Sequence, residues 1–312
     1  MRVLSFALIA LLSACAGSKQ TAAPGPAPTT APSAAPPAHE PEEETEPGEE
    51  PKPSASASES DAGAAPEEHA RRKKTACQPG LDACPESGCE EPGSPHALFN
   101  SIKRRATAAD GSPIKFASAQ AISFRTLALL QKKAVELVGE GETITAEQRQ
   151  KLVAIRIGQH TYGEGVPVRV VGYLAPHSSH APASGVHAGG IESVNCRLDK
   201  PEWKDIHIPL IPTLDSEECS GVVVEMIPQG RAAHPNWTTQ KLQALEHDKK
   251  PVLFVGPLFY DNEHRARPDC SVTASQPKRM SLWEVHPVIE FYECEDESVC
   301  KPSAQKGWKR VD

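Results

Sequence analysis

The stretch VLFVGPLFY at Val252–Tyr260 and the stretch LWEVHPVIEFY at Leu282–Tyr292 decide the fold of this chain. Both are rich in β-branched and aromatic residues, and the second alternates apolar with polar residues, as half-buried strands do. The alternation places Trp283, Val285, Ile289 and Phe291 on one face and Glu284, His286 and Glu290 on the other. The two stretches therefore predict the last two strands of a mainly β domain.

Working back along the chain, the pattern predicts three more strands and one helix. The strands are expected at Val168–Leu174, Asp205–Leu210 and Gly221–Ile227, with a further short strand at Ile191–Val194 inside a long loop. Gly172 within the first strand indicates a bulge or bend, and Asn236 is the expected N-cap of a helix that runs to about Lys249. The order matches the OB-fold. We predict an α+β, mainly β domain: an OB-like five-stranded barrel with one helix between strands 3 and 4.

Two further helices are predicted ahead of the barrel and are expected to pack on it. Between Ser118 and Val138 apolar residues recur close to every 3.6 positions, at Phe124, Leu127, Leu130, Ala134 and Val138. Thr145 and Gln148 then have the spacing of a capping box. Leu152 and Ile155 give the helix that follows an apolar side.

Four motifs carry a resemblance to a known family. They are Asp205-Ile206-His207-Ile208, then Val224 to Pro228, then Gly256 to Asp261 with His264, and finally Trp283 to Pro287. Taken together, the stretch from Val166 to Cys294 resembles a functionally uncharacterised family of small secreted bacterial OB-like proteins. The resemblance implies the barrel fold and no activity. The loops at Ala175–Lys204 and Arg265–Met280 look longer than this family usually has.

Residues 1–14 have the pattern of a lipoprotein signal peptide. Arg2 precedes an apolar stretch from Val3 to Leu12, which is too short to span a bilayer. The sequence Leu12-Ser13-Ala14-Cys15 resembles a bacterial lipobox, and that resemblance implies cleavage before Cys15 and a diacylglycerol on its sulfur. Ala16 favours the outer membrane by the sorting pattern of such lipoproteins. The alternative is an ordinary signal peptide with a chance cysteine.

Composition divides the remaining chain into four segments. Residues 15–76 are rich in Ala, Pro, Ser, Thr and Glu and predict a disordered tether. Residues 77–95 form a cysteine-rich cap, residues 96–165 a helical segment, and residues 166–312 the OB-like domain. Residues 1–95 hold 15 acidic and 7 basic side chains, whereas residues 96–312 hold 26 of each. The folded part is therefore neutral, which disfavours nucleic-acid binding.

The cysteines predict a disulfide framework. Behind a secretory signal an even number of cysteines indicates disulfides, and setting Cys15 aside leaves Cys77, Cys84, Cys89, Cys196, Cys219, Cys270, Cys294 and Cys300. The pairing stays open, although we favour Cys196 with Cys219 because they flank one candidate strand. Crosslinks from the cap are expected to hold it against the main domain. The alternative is zinc, but no C-x2-C pair occurs.

Seven polar residues are candidates for a ligand site, because strand parity points them away from the apolar faces or places them in an adjoining loop. They are Asp205, His207, Glu225, Asp261, His264, Glu284 and His286. Such side chains would bind zinc, manganese or a similar divalent metal, with His207, His264 and His286 as metal-ligand candidates. Alternatively, they line a solvated sheet face or satisfy its irregular edges. If the fifth strand closes on the first, the pair Asp205 and His207 on strand 2 need not meet the pair Glu284 and His286 on strand 5.

Other sequence signals are weaker. His177, His180 and His187 in the long loop form a second candidate metal set, with no defined zinc spacing. Four aromatic residues are either a stacking platform for bases or sugars or part of the core: Tyr173, Trp203, Phe259 and Tyr260. The sequence contains no G-x-S-x-G, P-loop or H-E-x-x-H pattern. No catalytic residue is assigned, and binding is favoured over enzymatic activity.

These observations favour an envelope-anchored lipoprotein whose OB-like domain binds a small molecule, an oligosaccharide or a protein. The expected partners are the membrane, through the lipid on Cys15, and an envelope protein or glycan. One alternative is a metal-dependent hydrolase or nuclease of the envelope, with a divalent metal as its cofactor. Another is a structural partner in a surface assembly.

The anchoring hypothesis predicts the behaviour of Cys15→Ser. Without the thiol, lipidation cannot occur, so we expect the variant to remain as an uncleaved precursor or to be released without detergent. Fractionation of producing cells, with and without detergent, measures this. A variant that is processed normally and still needs detergent for extraction would contradict the lipobox.

Overall fold

The computed structural model describes residues 76–177, 185–264 and 279–312. The expectations for the signal peptide, for Cys15 and for the tether up to residue 75 lie outside the described residues, as do those for His180 and Cys270. In the part that is described, none of the helices combines the length and the apolar character needed to cross a bilayer.

The described ranges contain five α-helices and eleven strands. The helices are α1 (Pro95–Lys103), α2 (Phe124–Val138), α3 (Ala146–Gln150), α4 (Pro228–Arg231) and α5 (Thr239–His247). The first strands are β1 (Gln120–Ala121), β2 (Ile155–Ile157), β3 (His160–Tyr162), β4 (Pro167–Leu174), β5 (His187–Ala188) and β6 (Ile206–Ile211). The others are β7 (Val222–Met226), β8 (Val252–Tyr260), β9 (Trp283–Val285), β10 (Glu290–Cys294) and β11 (Trp308–Arg310).

Five strands close into a barrel in the order β4-β6-β7-β9-β8, with β8 pairing back to β4. The predicted fold class, a mainly β chain with an OB-like five-stranded barrel, is confirmed. The expected closure is wrong in one respect: the fourth barrel strand, β8, closes on the first, β4, through the antiparallel register from Pro167↔Pro257 to Gly172↔Val252. The fifth, β9, lies between β7 and β8.

Gly172 marks the point where β4 changes partners. Up to this residue β4 pairs with β8, and the next two residues pair with β6. A Cβ atom at Gly172 would lie 2.7 Å from the carbonyl oxygen of Ile211, so only glycine allows the two backbones to approach this closely. The change of partner at Gly172 is part of the barrel closure, and the predicted bulge or bend stays a prediction.

The stretch Leu282–Tyr292 is two strands instead of one. The peptide bond between His286 and Pro287 is cis, and the chain turns there from β9, beside β7 and β8, to β10, beside β8 and β11. The break shifts the side-chain alternation. Phe291 stays in the main core, but Ile289 packs on a second apolar cluster that contains Tyr292. The short strand predicted at Ile191–Val194 is also wrong: these residues form a loop, and the short strand in this region is β5.

One apolar core joins the barrel to α2 and α5. Alternate residues of the barrel strands, among them Ile206, Ile208 and Leu210, pack with the buried face of α2. That face holds the predicted Leu127, Leu130, Ala134 and Val138. Two helix details differ from expectation: Thr238 caps α5 in place of Asn236, and Ile155 starts β2 instead of extending α3. The capping box of Thr145 and Gln148 is confirmed.

Helix α1 is a third helix ahead of the barrel, and the sequence analysis missed it. Ser94 caps its N-terminus, with its side chain accepting from the Ala97 amide, and Pro95 is the first helical residue. A Ser-Pro start of this kind is a known helix signal. Phe99 of α1 packs edge-on against Phe259 of β8, with ring centroids 5.0 Å apart. The helix therefore covers one face of the barrel.

Three disulfides are described in full: Cys77–Cys89, Cys84–Cys196 and Cys294–Cys300. Cys219 is disulfide-bonded as well. The disulfide framework is thus confirmed for the described cysteines, but the pairing of Cys196 with Cys219 is wrong. Cys196 lies in the loop that follows β5 and is bonded to Cys84 of the cap, so this disulfide joins the cap to that loop. Among the described disulfides, one therefore holds the cap against the main domain, as expected.

Loop closure predicts unequal contributions from two of these bonds. Cys84–Cys196 spans 112 residues and Cys294–Cys300 spans 6. We expect the double substitution Cys84→Ser/Cys196→Ser to lower the free energy of unfolding by about 4–5 kcal/mol, and Cys294→Ser/Cys300→Ser by about 2 kcal/mol. Denaturant titration of the two variants checks the difference. Equal losses of unfolding free energy would contradict the expectation that the long-range bond stabilises the protein mainly by constraining the unfolded chain.

Candidate functional site

Six of the seven candidate site residues converge beneath the surface. His207 is 7% exposed, and the other five are fully buried at 0% exposure: Asp205, Glu225, Asp261, Glu284 and His286. Each of the six is next in sequence to a residue of the main core, so the predicted assignment of these side chains to the opposite face of their strands is correct. The expectation of a solvated sheet face is wrong, because α1 and the loop after β5 cover this face.

Glu225 on β7 is the centre of the cluster, since its two neighbouring strands each bring a histidine to it. His207 is the direct cross-strand partner of Glu225, and its Nε2 lies 3.3 Å from Glu225 Oε1. On the other side, Val224 pairs with Val285, which places His286 Nε2 2.8 Å from Glu225 Oε2. The pairs on strands 2 and 5 therefore meet, because β9 lies next to β7.

These contacts fix the charges of the cluster. Burial alone would lower the pKa of His286, but the carboxylates of Glu225 and Asp205 outweigh it and raise that pKa to about 10. Burial likewise opposes protonation of His207, whose pKa is raised to about 9 by Glu225 and Glu192. Burial would raise the pKa of Glu225, yet His207, Lys103 and His286 hold it well below its usual range.

A second group of charges adjoins the first. Arg279, with no exposed surface, forms an ion pair with Glu284 and lies 3.9 Å from Asp261. Asp261 Oδ2 is 2.6 Å from His264 Nδ1. Burial and the nearby Glu225 raise the pKa of Glu284 to about 7 despite Arg279.

Four residues of the cluster were not predicted from the sequence. They are Lys103, Glu192, Asn195 and Arg279. Lys103 Nζ lies 2.8 Å from Glu192 Oε2 and 3.5 Å from Glu225 Oε2. Burial would lower the pKa of Lys103, but Glu192 and Glu225 outweigh it and raise the pKa well above its usual value. The Ser94-Pro95 helix start was the signal that would have located α1 and, with it, Lys103.

A polar cleft opens above the cluster, with a volume of about 760 Å³. One wall is α1, with His96, Phe99, Asn100 and Lys103, and the other is the chain from His187 to Val194. His207 lies at its floor, and Glu263 and His264 close one end. The cleft therefore connects solvent to the half of the cluster that contains His207, whereas His286 is sealed.

The remaining candidates divide between this cleft and the core. His187 lines the cleft, and its ring lies 5.2 Å from that of His207. The three-histidine set with His177 stays a prediction, because His180 lies outside the described residues. Phe259 and Tyr260 are buried in the core, so the stacking platform is wrong for these two.

Three groupings in the described barrel face have the composition of a metal site. Their ligand atoms lie within 4.8 Å of one another in Glu192/His207/Glu225, in Asp205/Glu225/His286 and in Glu225/Asp261/Glu284. His264 belongs to none of them and pairs with Asp261. The arrangement can thus hold a divalent cation or fix protons between carboxylates and imidazoles.

Comparison of the chain with family models, with curated proteins and with solved structures gives no match. The resemblance to the secreted OB-like family stays a prediction.

The sealed half of the cluster predicts that His286 is structural. In His286→Ala the carboxylate of Glu225 loses its 2.8 Å partner in a fully buried position, which costs about 3–5 kcal/mol. We expect a fall in melting temperature of roughly 10 °C. His207→Ala, at the edge of the cleft, should cost less, about 1–3 kcal/mol.

Thermal melts with His247→Ala as the control measure this, because the His247 side chain is 90% exposed and its loss should leave the melting temperature unchanged. Equal, small shifts for His286→Ala and His207→Ala would contradict a structural role for His286.

Proposed function

We propose that this protein is a lipid-anchored binding protein of the bacterial envelope, whose OB-like domain holds a small polar ligand in the cleft above His207. The observation that carries the proposal is the cleft itself. Its volume of about 760 Å³ is within the size range typical of small-molecule sites. Charged and hydrogen-bonding groups from α1, from the loop after β5 and from β6 converge on it.

The energetic cost of the cluster supports a role beyond stability. Taking several charges out of water costs more than packing apolar side chains of the same volume in their place. Strands β6 and β7 nevertheless carry His207 and Glu225 among residues that are otherwise apolar. Clusters of buried titratable groups beside a cleft are typical of functional sites, and rigid strands hold such groups in place better than loops do.

The lining favours a neutral or zwitterionic polar ligand over a long polyanion. Lys103 and Arg197 line the cleft together with Glu90, Glu192 and Glu263, so neither sign of charge dominates. A mixed lining of this kind provides donors and acceptors for hydroxyl, amide and carboxylate groups. A short oligosaccharide or a small zwitterion meets these requirements, and the predicted tether would present the cleft away from the membrane.

Filling the cleft tests this function. Gly190 lines the cleft, and apart from its chain neighbours no heavy atom lies within 4 Å of the position that its Cβ would take. A Gly190→Trp side chain should therefore occupy ligand space without disturbing the barrel. Gly80→Trp is the control, since Gly80 is equally open but lies in the cap, away from the cleft-lining residues.

Detergent-solubilised full-length protein is equilibrated against a low-molecular-weight extract of the envelope, and the retained compounds are identified by mass spectrometry. We expect at least one polar compound that the parent protein and Gly80→Trp retain and Gly190→Trp does not. Identical profiles for all three proteins would reject the cleft as a ligand site.

A further inference from the structure

Three donor atoms lie at the floor of the cleft with the spacing of a coordination sphere. His207 Nε2 is 3.4 Å from Glu192 Oε1 and 3.3 Å from Glu225 Oε1. Ligand atoms about 2.1 Å from a tetrahedral zinc ion lie about 3.4 Å from one another. We propose that Glu192, His207 and Glu225 bind a divalent cation of the zinc type, with a fourth position that faces the cleft.

Three buried polar atoms at this position are unsatisfied in the part of the chain that is described. His207 is 7% exposed and Glu225 is fully buried, yet His207 Nε2 and both Glu225 oxygens lack a hydrogen bond of suitable geometry among the described residues. Buried polar groups in native proteins nearly always have a partner. A cation shared by the three side chains would satisfy the imidazole nitrogen and one oxygen of each carboxylate at the same time.

The surrounding charges leave those atoms available. Lys103 Nζ contacts the Oε2 atoms of Glu192 and Glu225, and His286 also contacts Oε2 of Glu225. Each carboxylate therefore turns its second oxygen, Oε1, towards His207. Groups that hold the outer atoms of metal ligands in this way fix the orientation of the ligands.

Gly189 keeps the space over the donors open. A Cβ atom at this position would lie 2.9 Å from His207 Nε2 and 3.2 Å from Glu192 Oε1. The glycine amide donates to the carbonyl oxygen of Asp205 at 2.7 Å, so the backbone is fixed where any side chain would collide with the donors. Three protein ligands with an open fourth position are typical of zinc sites that take a water or a ligand atom.

The other two groupings lack this access. Asp205/Glu225/His286 and Glu225/Asp261/Glu284 are fully buried, and His286 and Arg279 already neutralise their carboxylates. Only the grouping with His207 includes residues that line the cleft. One imidazole with two carboxylates suits zinc or manganese among the common divalent metals, and the imidazole favours zinc.

The test uses zinc alone as the probe and compares two glycines, Gly189 against the donors and Gly80 in the cap. Full-length protein in detergent is stripped with a chelator, loaded with Zn²⁺, and dialysed against a competing chelator so that weak surface sites are emptied. Metal content and competition titrations then give the stoichiometry and the affinity. We expect one tightly held equivalent in the parent protein.

Gly189→Ala leaves every donor in place but puts a methyl group against them, so we expect the zinc affinity to fall at least about tenfold, the size of effect that displacing a metal's surroundings produces. Gly80→Ala, whose added Cβ meets no heavy atom within 4 Å beyond its chain neighbours, lies outside the cleft lining and should bind like the parent. Glu192→Gln replaces a carboxylate that is 22% exposed with a neutral amide, a weaker metal ligand, and should weaken binding by a similar factor or more.

Parent-like zinc affinity in both Gly189→Ala and Glu192→Gln would overturn the site, as would a parent protein that retains no zinc. Circular dichroism confirms that each variant is folded, and Glu192→Gln decides the question if Gly189→Ala is not. Retention of the envelope compound, measured with the chelator present, separates this inference from the proposed binding function, because either can fail while the other holds.

Discussion

The fully buried carboxylate of Glu225 is the constraint on which this face of the molecule depends. An isolated carboxylate cannot stay charged in such a place, so the fold must supply cationic or donor groups from several directions. It does so from three elements: His207 from β6, His286 from the end of β9 and Lys103 from α1. Helix α1 and the chain at the end of β9 therefore each place a cationic group beside this one carboxylate.

Much of the barrel could be predicted from the sequence, because its strands alternate and its turns are rich in glycine and proline. The same alternation correctly put Asp205, His207, Glu225, Glu284 and His286 on one face. The alternation could not show that other parts of the chain cover this face. Parity separates two faces of a strand but does not say which face meets water. The answer lies in α1, a nine-residue helix that is too short to give a clear helical period. Convergence was missed for a second reason: it follows from β9 lying beside β7, a pairing between strands that are far apart in the sequence.

The cap, α1 and the loop after β5 form one connected support for Glu192. The disulfide between Cys84 and Cys196 ties the cap to the end of this loop. The Cys89 amide donates to the carbonyl oxygen of Ser193, and Asn100 of α1 donates to the Ser193 hydroxyl at 3.0 Å. Glu192 is the adjacent residue, so its place in the cleft depends on a crosslink formed by a segment with almost no core of its own. This arrangement explains why a cap with so few apolar contacts is joined to the barrel covalently.

The two histidines of Glu225 differ in a way that divides the cluster into a structural half and an open half. His286 is fully buried, and its contacts are with Glu225 and Asp205, both of which are fully buried as well. His207 makes the equivalent contact from the opposite strand but lies at the floor of the cleft, next to the partly exposed Glu192 and beneath Gly189. Because Glu225 already has His286 and Lys103 as partners, His207 can exchange its proton for a cation without leaving that carboxylate uncompensated. A buried carboxylate with several cationic partners is therefore compatible with both a stable polar interior and the proposed cation site at its edge.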